Sequence, residues 1–129
     1  AHLLISCGKV FICAWSPTST LLASGSGDST ARIWNISKEA LTSDRYPIVL
    51  KHFNSSAGEN SKDVTTLDWH PEGNLLATGS YDGLARIWSD KGELVQTLAR
   101  HNGPIFSLKW NKKGDSLLSG SVDKSAVVW

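Results

Sequence analysis

The stretch Leu22-Ala23-Ser24-Gly25-Ser26-Gly27-Asp28-Ser29-Thr30-Ala31-Arg32-Ile33-Trp34 decides how this chain is read, because the chain contains it more than once. Leu76-Ala77-Thr78-Gly79-Ser80-Tyr81-Asp82-Gly83-Leu84-Ala85-Arg86-Ile87-Trp88 repeats it. Leu117-Leu118-Ser119-Gly120-Ser121-Val122-Asp123-Lys124-Ser125-Ala126-Val127-Val128-Trp129 repeats it again. Outward from these stretches, a second tryptophan stands 19 residues before the closing one each time: Trp15, Trp69 and Trp110. The windows 10–34, 64–88 and 105–129 align without a gap over 25 residues, the first two sharing 13 identities and the last two 9. All 6 tryptophans of the 129-residue chain fall on repeated positions, so the repeat governs the fold.

Each unit reads as strands separated by turn chemistry, with no helical period. An apolar or β-branched run ends in the first tryptophan, at 10–15, 64–69 and 105–110. A polar turn follows: Ser16-Pro17, then 70–74, then 111–115. Two more short runs flank an aspartate turn. A fourth strand fits between units at Ile48-Val49-Leu50 and at 94–98, and 1–5 lies at the equivalent distance before Val10. Val64 follows Val10 by 54 residues and Ile105 follows Val64 by 41. Part of the extra length is the insert 53–62, rich in Asn, Ser, Gly and charge, which predicts an exposed, mobile loop.

Composition excludes several classes. The net charge of +1, with both signs scattered, disfavours an electrostatic nucleic-acid binder. No apolar run approaches the ~20 residues that span a bilayer, and no leader opens the chain. Cys7 and Cys13 form no metal or disulfide spacing, which fits a reducing compartment. The sequons Asn35-Ile36-Ser37 and Asn54-Ser55-Ser56 read as chance matches in such a protein. The chain contains no methionine and reads as a fragment. No G-x-S-x-G elbow, Walker loop, H-E-x-x-H or paired-cysteine site is present, so the sequence predicts neither enzyme nor metal nor cofactor.

A four-stranded unit of 41 residues resembles the WD-repeat β-propeller blade. The resemblance covers essentially the whole chain, 1–129, and implies an all-β partial propeller. Three consecutive antiparallel four-stranded blades are expected, the outer ones incomplete, in a ring that is not closed and needs further blades. It also implies a structural hydrogen-bonded chain in each unit, in which the closing indole donates to a strand hydroxyl, the hydroxyl joins a histidine, and the aspartate fixes that histidine and its turn. By resemblance the third unit holds His101, Ser119, Asp123 and Trp129, and the second His52, Thr78, Asp82 and Trp88. The first holds Ser24, Asp28 and Trp34, with Ser6 where the histidine belongs. His–Asp pairs also occur in catalysis, but a nucleophile must be exposed beside its base, and these groups recur inside strands. His70 reads as a solvated turn residue, and Arg32 and Arg86 as packing along the blade or pairing locally.

Four segments are more specific: 22–34, 62–69, 75–88 and Gly103-Pro104-Ile105-Phe106-Ser107-Leu108-Lys109-Trp110-Asn111-Lys112-Lys113-Gly114. Together they resemble the transducin β-like protein 1 family of corepressor subunits, and 119–129 resembles its plant members most. That resemblance implies a non-enzymatic nuclear scaffold that links histone deacetylase complexes to chromatin, with the cytoplasm left open as a second location. Its partners would be deacetylase and corepressor subunits and histone tails, with no sequence-specific nucleic acid and no membrane. A generic WD-repeat adaptor, for signalling or for recruiting ubiquitin-ligase substrates, is the alternative. By resemblance the partner-binding face comprises Lys9, Phe11 and Gly27; Asp63, Thr65 and Tyr81; Pro104, Phe106 and Val122. These positions vary between units while the framework around them repeats.

Overall fold

A computed structural model describes residues 8–37, 39, 45–53 and 62–129 of the chain. The described residues form strands and turns with no helix, hence none long and apolar enough to cross a membrane. The first sheet is β1 (Val10–Trp15), β2 (Leu21–Ser26), β3 (Thr30–Asn35) and β4 (Ile48–Lys51), antiparallel and in chain order. The second repeats it with β5 (Val64–Trp69), β6 (Leu75–Ser80), β7 (Leu84–Ser89) and β8 (Leu94–Ala99). The third is β9 (Ile105–Trp110), β10 (Leu117–Ser121) and β11 (Ala126–Val128). It has 3 strands, the incompleteness expected of an outer unit. The candidate strand at 1–5, Ser6, and the interior of the insert at 54–61 lie outside the described residues.

Why these residues make these turns is visible at the aspartates. Ser29, Gly83 and Lys124, each following its aspartate, adopt positive φ of 67°, 85° and 72°. Only Gly83 does so without a Cβ penalty. The aspartate offsets that cost by accepting the N–H two residues on: Thr30 at 3.0 Å, Leu84 at 3.1 Å and Ser125 at 2.8 Å.

The sheets stack face to face, and strand 1 of each unit packs against strand 1 of the next, β1 on β5 and β5 on β9. One apolar cluster joins the first two sheets through Ile33, Leu50, Val64, Leu67, Trp69, Leu76 and Trp88. A second joins the next two through Ala77, Ala85, Leu98, Ile105, Leu108 and Leu117. Two glycines permit this approach. A Cβ on Gly25 would stand 2.7 Å from Val64 Cγ1, and one on Gly79 would stand 2.7 Å from Ile105 Cγ2. The first tryptophan of a unit wedges into the preceding sheet: Trp69 is 5% exposed and its indole N–H donates to Ala14 O at 3.1 Å. Trp15, the same position in the first sheet, is 63% exposed. Burying a tryptophan of this kind contributes enough that its truncation costs about 3–5 kcal/mol.

Candidate functional site

The polar chain of the third unit runs from strand to strand. Trp129 Nε1 donates to Ser119 Oγ at 2.9 Å, and Ser119 Oγ lies 2.7 Å from His101 Nε2. His101 Nδ1 faces Asp123 Oδ2 at 3.0 Å. A carboxylate only accepts, so Nδ1 carries the proton, and in the neutral ring Nε2 accepts from Ser119. Asp123 also takes the Ser125 hydroxyl at 2.5 Å and the Asn102 N–H at 2.9 Å. These donors, the Ser125 hydroxyl foremost, hold its carboxyl well below the usual carboxylate range.

In the second unit the same first half gives way to a different second half. Trp88 Nε1 donates to Thr78 Oγ1 at 2.9 Å, which lies 2.7 Å from His52 Nε2. His52 Nδ1, however, turns to Leu50 O at 3.0 Å and not to Asp82. The expectation that Asp82 fixes this histidine is therefore corrected. The reason is Arg86. Its Nη2 pairs with Asp82 Oδ2 at 3.2 Å, its Nη1 donates to Ser80 Oγ at 3.0 Å, and it is 8% exposed. The third unit has Val127 at that place, leaving its aspartate open to a histidine. Burial, followed by the positive charge of Arg86, lowers the pKa of His52 from 6.5 to about 4. His52 is thus neutral at pH 7, with its proton on Nδ1, and Thr78 donates to Nε2.

In the first unit Trp34 Nε1 donates to Ser24 Oγ at 3.2 Å. Asp28 accepts from Ser26 Oγ at 2.6 Å and Thr30 Oγ1 at 2.6 Å and pairs with Arg32 at 3.4 Å. Burial raises its pKa, but the bonds from Ser26 and Thr30 and the Arg32 charge bring it below the ordinary value.

Sequence reasoning missed Ser26 and Ser80, which bond the aspartate two residues on. The repeated Ser-x-Asp was the available signal. It also misread His70, which is buried rather than solvated, at 8% exposure. Its Nε2 meets Gly114 O at 2.8 Å, its Nδ1 accepts the Glu72 N–H at 3.1 Å, and its ring stands edge-on to Trp110 with centroids 4.9 Å apart. The turn of the next unit covers it, which a single unit cannot reveal.

The nine face positions form three bonded corners, one per sheet. Gly27 N donates to Lys9 O at 2.7 Å, Tyr81 N to Asp63 O at 2.9 Å, and Val122 N to Pro104 O at 3.1 Å. Phe11, Thr65 and Phe106 each fall where the register slips between the first two strands of their sheet. Such a bulge re-aims its side chain. Phe11, Tyr81 and Phe106 are half-exposed, at 50%, 49% and 53%. Thr65 differs: it is half-buried, and its hydroxyl reaches the Ile105 carbonyl of the next sheet. Among the described residues no group of three or more His, Cys, Asp or Glu side chains is placed to hold a metal.

Consecutive antiparallel sheets, each with a tryptophan–hydroxyl anchor and an aspartate turn, define a segment of a β-propeller. The chain belongs to the family described as WD domain, G-beta repeat, which matches residues 1–35, 50–89 and 92–129. It is 63% identical over 104 residues to the WD40 repeat-containing protein HOS15 of Arabidopsis thaliana, covering 77% of this chain and 17% of that protein. It is 56% identical over 124 residues to the human F-box-like/WD repeat-containing protein TBL1X, covering 94% of this chain and 21% of that protein. The crystal structure of the C-terminal WD40 domain of Sif2 superposes with a TM-score of 0.78 at 31% identity, covering 95% of this chain and 34% of that one. The chain thus spans about a fifth of the length of the curated relatives it matches.

Proposed function

We propose that the chain is part of a non-enzymatic protein-interaction scaffold of the nucleus, a corepressor subunit that links histone deacetylase complexes to chromatin. The observation that carries this reading is the row of three bulge corners. They present Phe11, Tyr81 and Phe106 half-exposed at corners closed by backbone hydrogen bonds. Rigid, half-exposed aromatic residues are the side chains that anchor protein interfaces. The similarity to HOS15 and TBL1X supports the corepressor class. Exposed Trp15, buried in its Trp69 counterpart, supports closure of the ring by further blades.

The test is capture of histone H3 and H4 tail peptides and of deacetylase-complex subunits by the intact protein carrying Tyr81→Ala with Phe106→Ala. The double variant should lose most binding while retaining the tryptophan near-ultraviolet circular dichroism of the parent. Unimpaired binding to every partner by a folded double variant would move the site elsewhere. A second reading, an adaptor recruiting ubiquitin-ligase substrates, is favoured by the F-box-like description of the human relative. It predicts that ubiquitin-ligase subunits, not deacetylase subunits, are captured.

A further inference from the structure

The junction between the first two sheets carries a second feature, on different side chains from the aromatic row. A cleft of about 220 Å³ opens there, enough for roughly seven waters. Lys51 at the end of β4, Lys62 just before β5 and Arg86 on β7 line it, with Phe53 and Leu94 as apolar neighbours. β4 and β8 are the outermost strands of their sheets, so the cleft opens at the outer side.

The three cations are not equivalent. Arg86 is buried and held by Asp82 and Ser80, so it is a fixed charge beneath the cleft. Lys51 is exposed and Lys62 half-buried, and among the described residues neither forms an ion pair with a carboxylate. Phe53 and Leu94 are 39% and 52% exposed. The cleft is specific to this junction. Phe53 and Lys62 are the two ends of the insert, and the corresponding link between the second and third units, Arg100-His101-Asn102-Gly103-Pro104, has no counterpart to them. His52 also lines the cleft, and burial foremost, then the Arg86 charge and last that of Lys62, hold its pKa below the ordinary value against the opposing charge of Asp82.

We propose that this cleft captures an extended acidic segment of a protein partner, with a carboxylate between Lys51 and Lys62 above Arg86 and an apolar side chain on Phe53 and Leu94. The occupant is argued from charge complementarity. Two ammonium groups that have no carboxylate partner among the described residues favour an anion, and the adjoining apolar side chains favour a peptide over a free ion. The lysines supply attraction and salt dependence.

A fluorescein-labelled octapeptide alternating glutamate and leucine is the probe, read by fluorescence anisotropy with the intact protein at low and high salt. Binding should weaken at least about tenfold in the Lys51→Glu, Lys62→Glu double variant and weaken with salt in the parent. The same peptide with lysine for glutamate should bind the double variant better than the parent, a gain that a misfolded variant would not show. Phe53→Ala should weaken binding without changing its salt dependence. Tyr81→Ala with Phe106→Ala should leave it unchanged, which separates this cleft from the aromatic row. Full binding by the double variant, equal binding of a glutamine version of the peptide, loss in the Tyr81→Ala, Phe106→Ala protein, or tighter binding of a poly-uridine oligonucleotide would each overturn the proposal.

Discussion

Replacing Asp82 by alanine removes the acceptor that faces Arg86, whose side chain is 9% exposed and whose Nη2 lies 3.2 Å from Asp82 Oδ2. A guanidinium keeps its proton in proteins, so the substitution strands a buried cation and not a neutral group. The Ser80 hydroxyl and the Leu84 N–H lose an acceptor in the same step. Breaking a buried pair from one side costs about 3–5 kcal/mol, against the ~5–15 kcal/mol that holds a domain folded. Asp28 is the internal control. Its pair with Arg32 spans 3.4 Å with side chains 29% and 18% exposed, so water screens the charge. Asp28→Ala should cost roughly 1–2 kcal/mol, mainly through the bonds to Ser26 and Thr30. The assay is equilibrium urea unfolding of the intact protein, followed by tryptophan fluorescence. The unpaired charge makes one further demand: adding Arg86→Met to Asp82→Ala should recover stability, because it removes the uncompensated cation. Equal losses at Asp28 and Asp82, or a double variant no more stable than Asp82→Ala, would refute the reasoning.

Acid should destabilise the protein through His52. Its pKa falls from 6.5 to about 4 on folding, so the unfolded chain binds more protons between those values; the contribution is complete above pH 6.5 and lost as pH falls to 4. That loss is on the order of 3 kcal/mol, and urea midpoints at about pH 4.5 and 7.5 should differ less in His52→Gln than in the parent. Gly79→Ala sets a methyl 2.7 Å from Ile105 Cγ2 and should cost about 1–3 kcal/mol, whereas Gly120→Ala, with its nearest neighbour at 3.6 Å, should cost less; thermal unfolding would rank them. His70→Leu keeps an apolar contact with Trp110 but forfeits the bonds to Gly114 and Glu72, costing about 1–2 kcal/mol, and the Glu72 amide should exchange faster with deuterium.

Much of this molecule was legible in the chain because its local physics repeats. Strand, turn and aspartate recur at one spacing, and each aspartate secures a positive-φ residue through an N–H two positions on. Such bonds join neighbours in sequence, so the pattern that specifies them lies within a single window. The tryptophan-to-hydroxyl bonds span ten residues and recur in all three units, and they too could be expected from aligned windows. Comparison of units is blind to what one unit does to the next. His70 is buried by a turn 44 residues further on, and Trp69 finds its acceptor 55 residues back. Nor could alignment show that Arg86 takes Asp82 from His52, since charge competition in a buried space depends on which side chains converge there. The exposure of Phe11, Tyr81 and Phe106 and the cleft at Lys51 and Lys62 are likewise set by register slips and sheet stacking. Those are properties of paired backbones, and a sequence window holds only one partner of each pair.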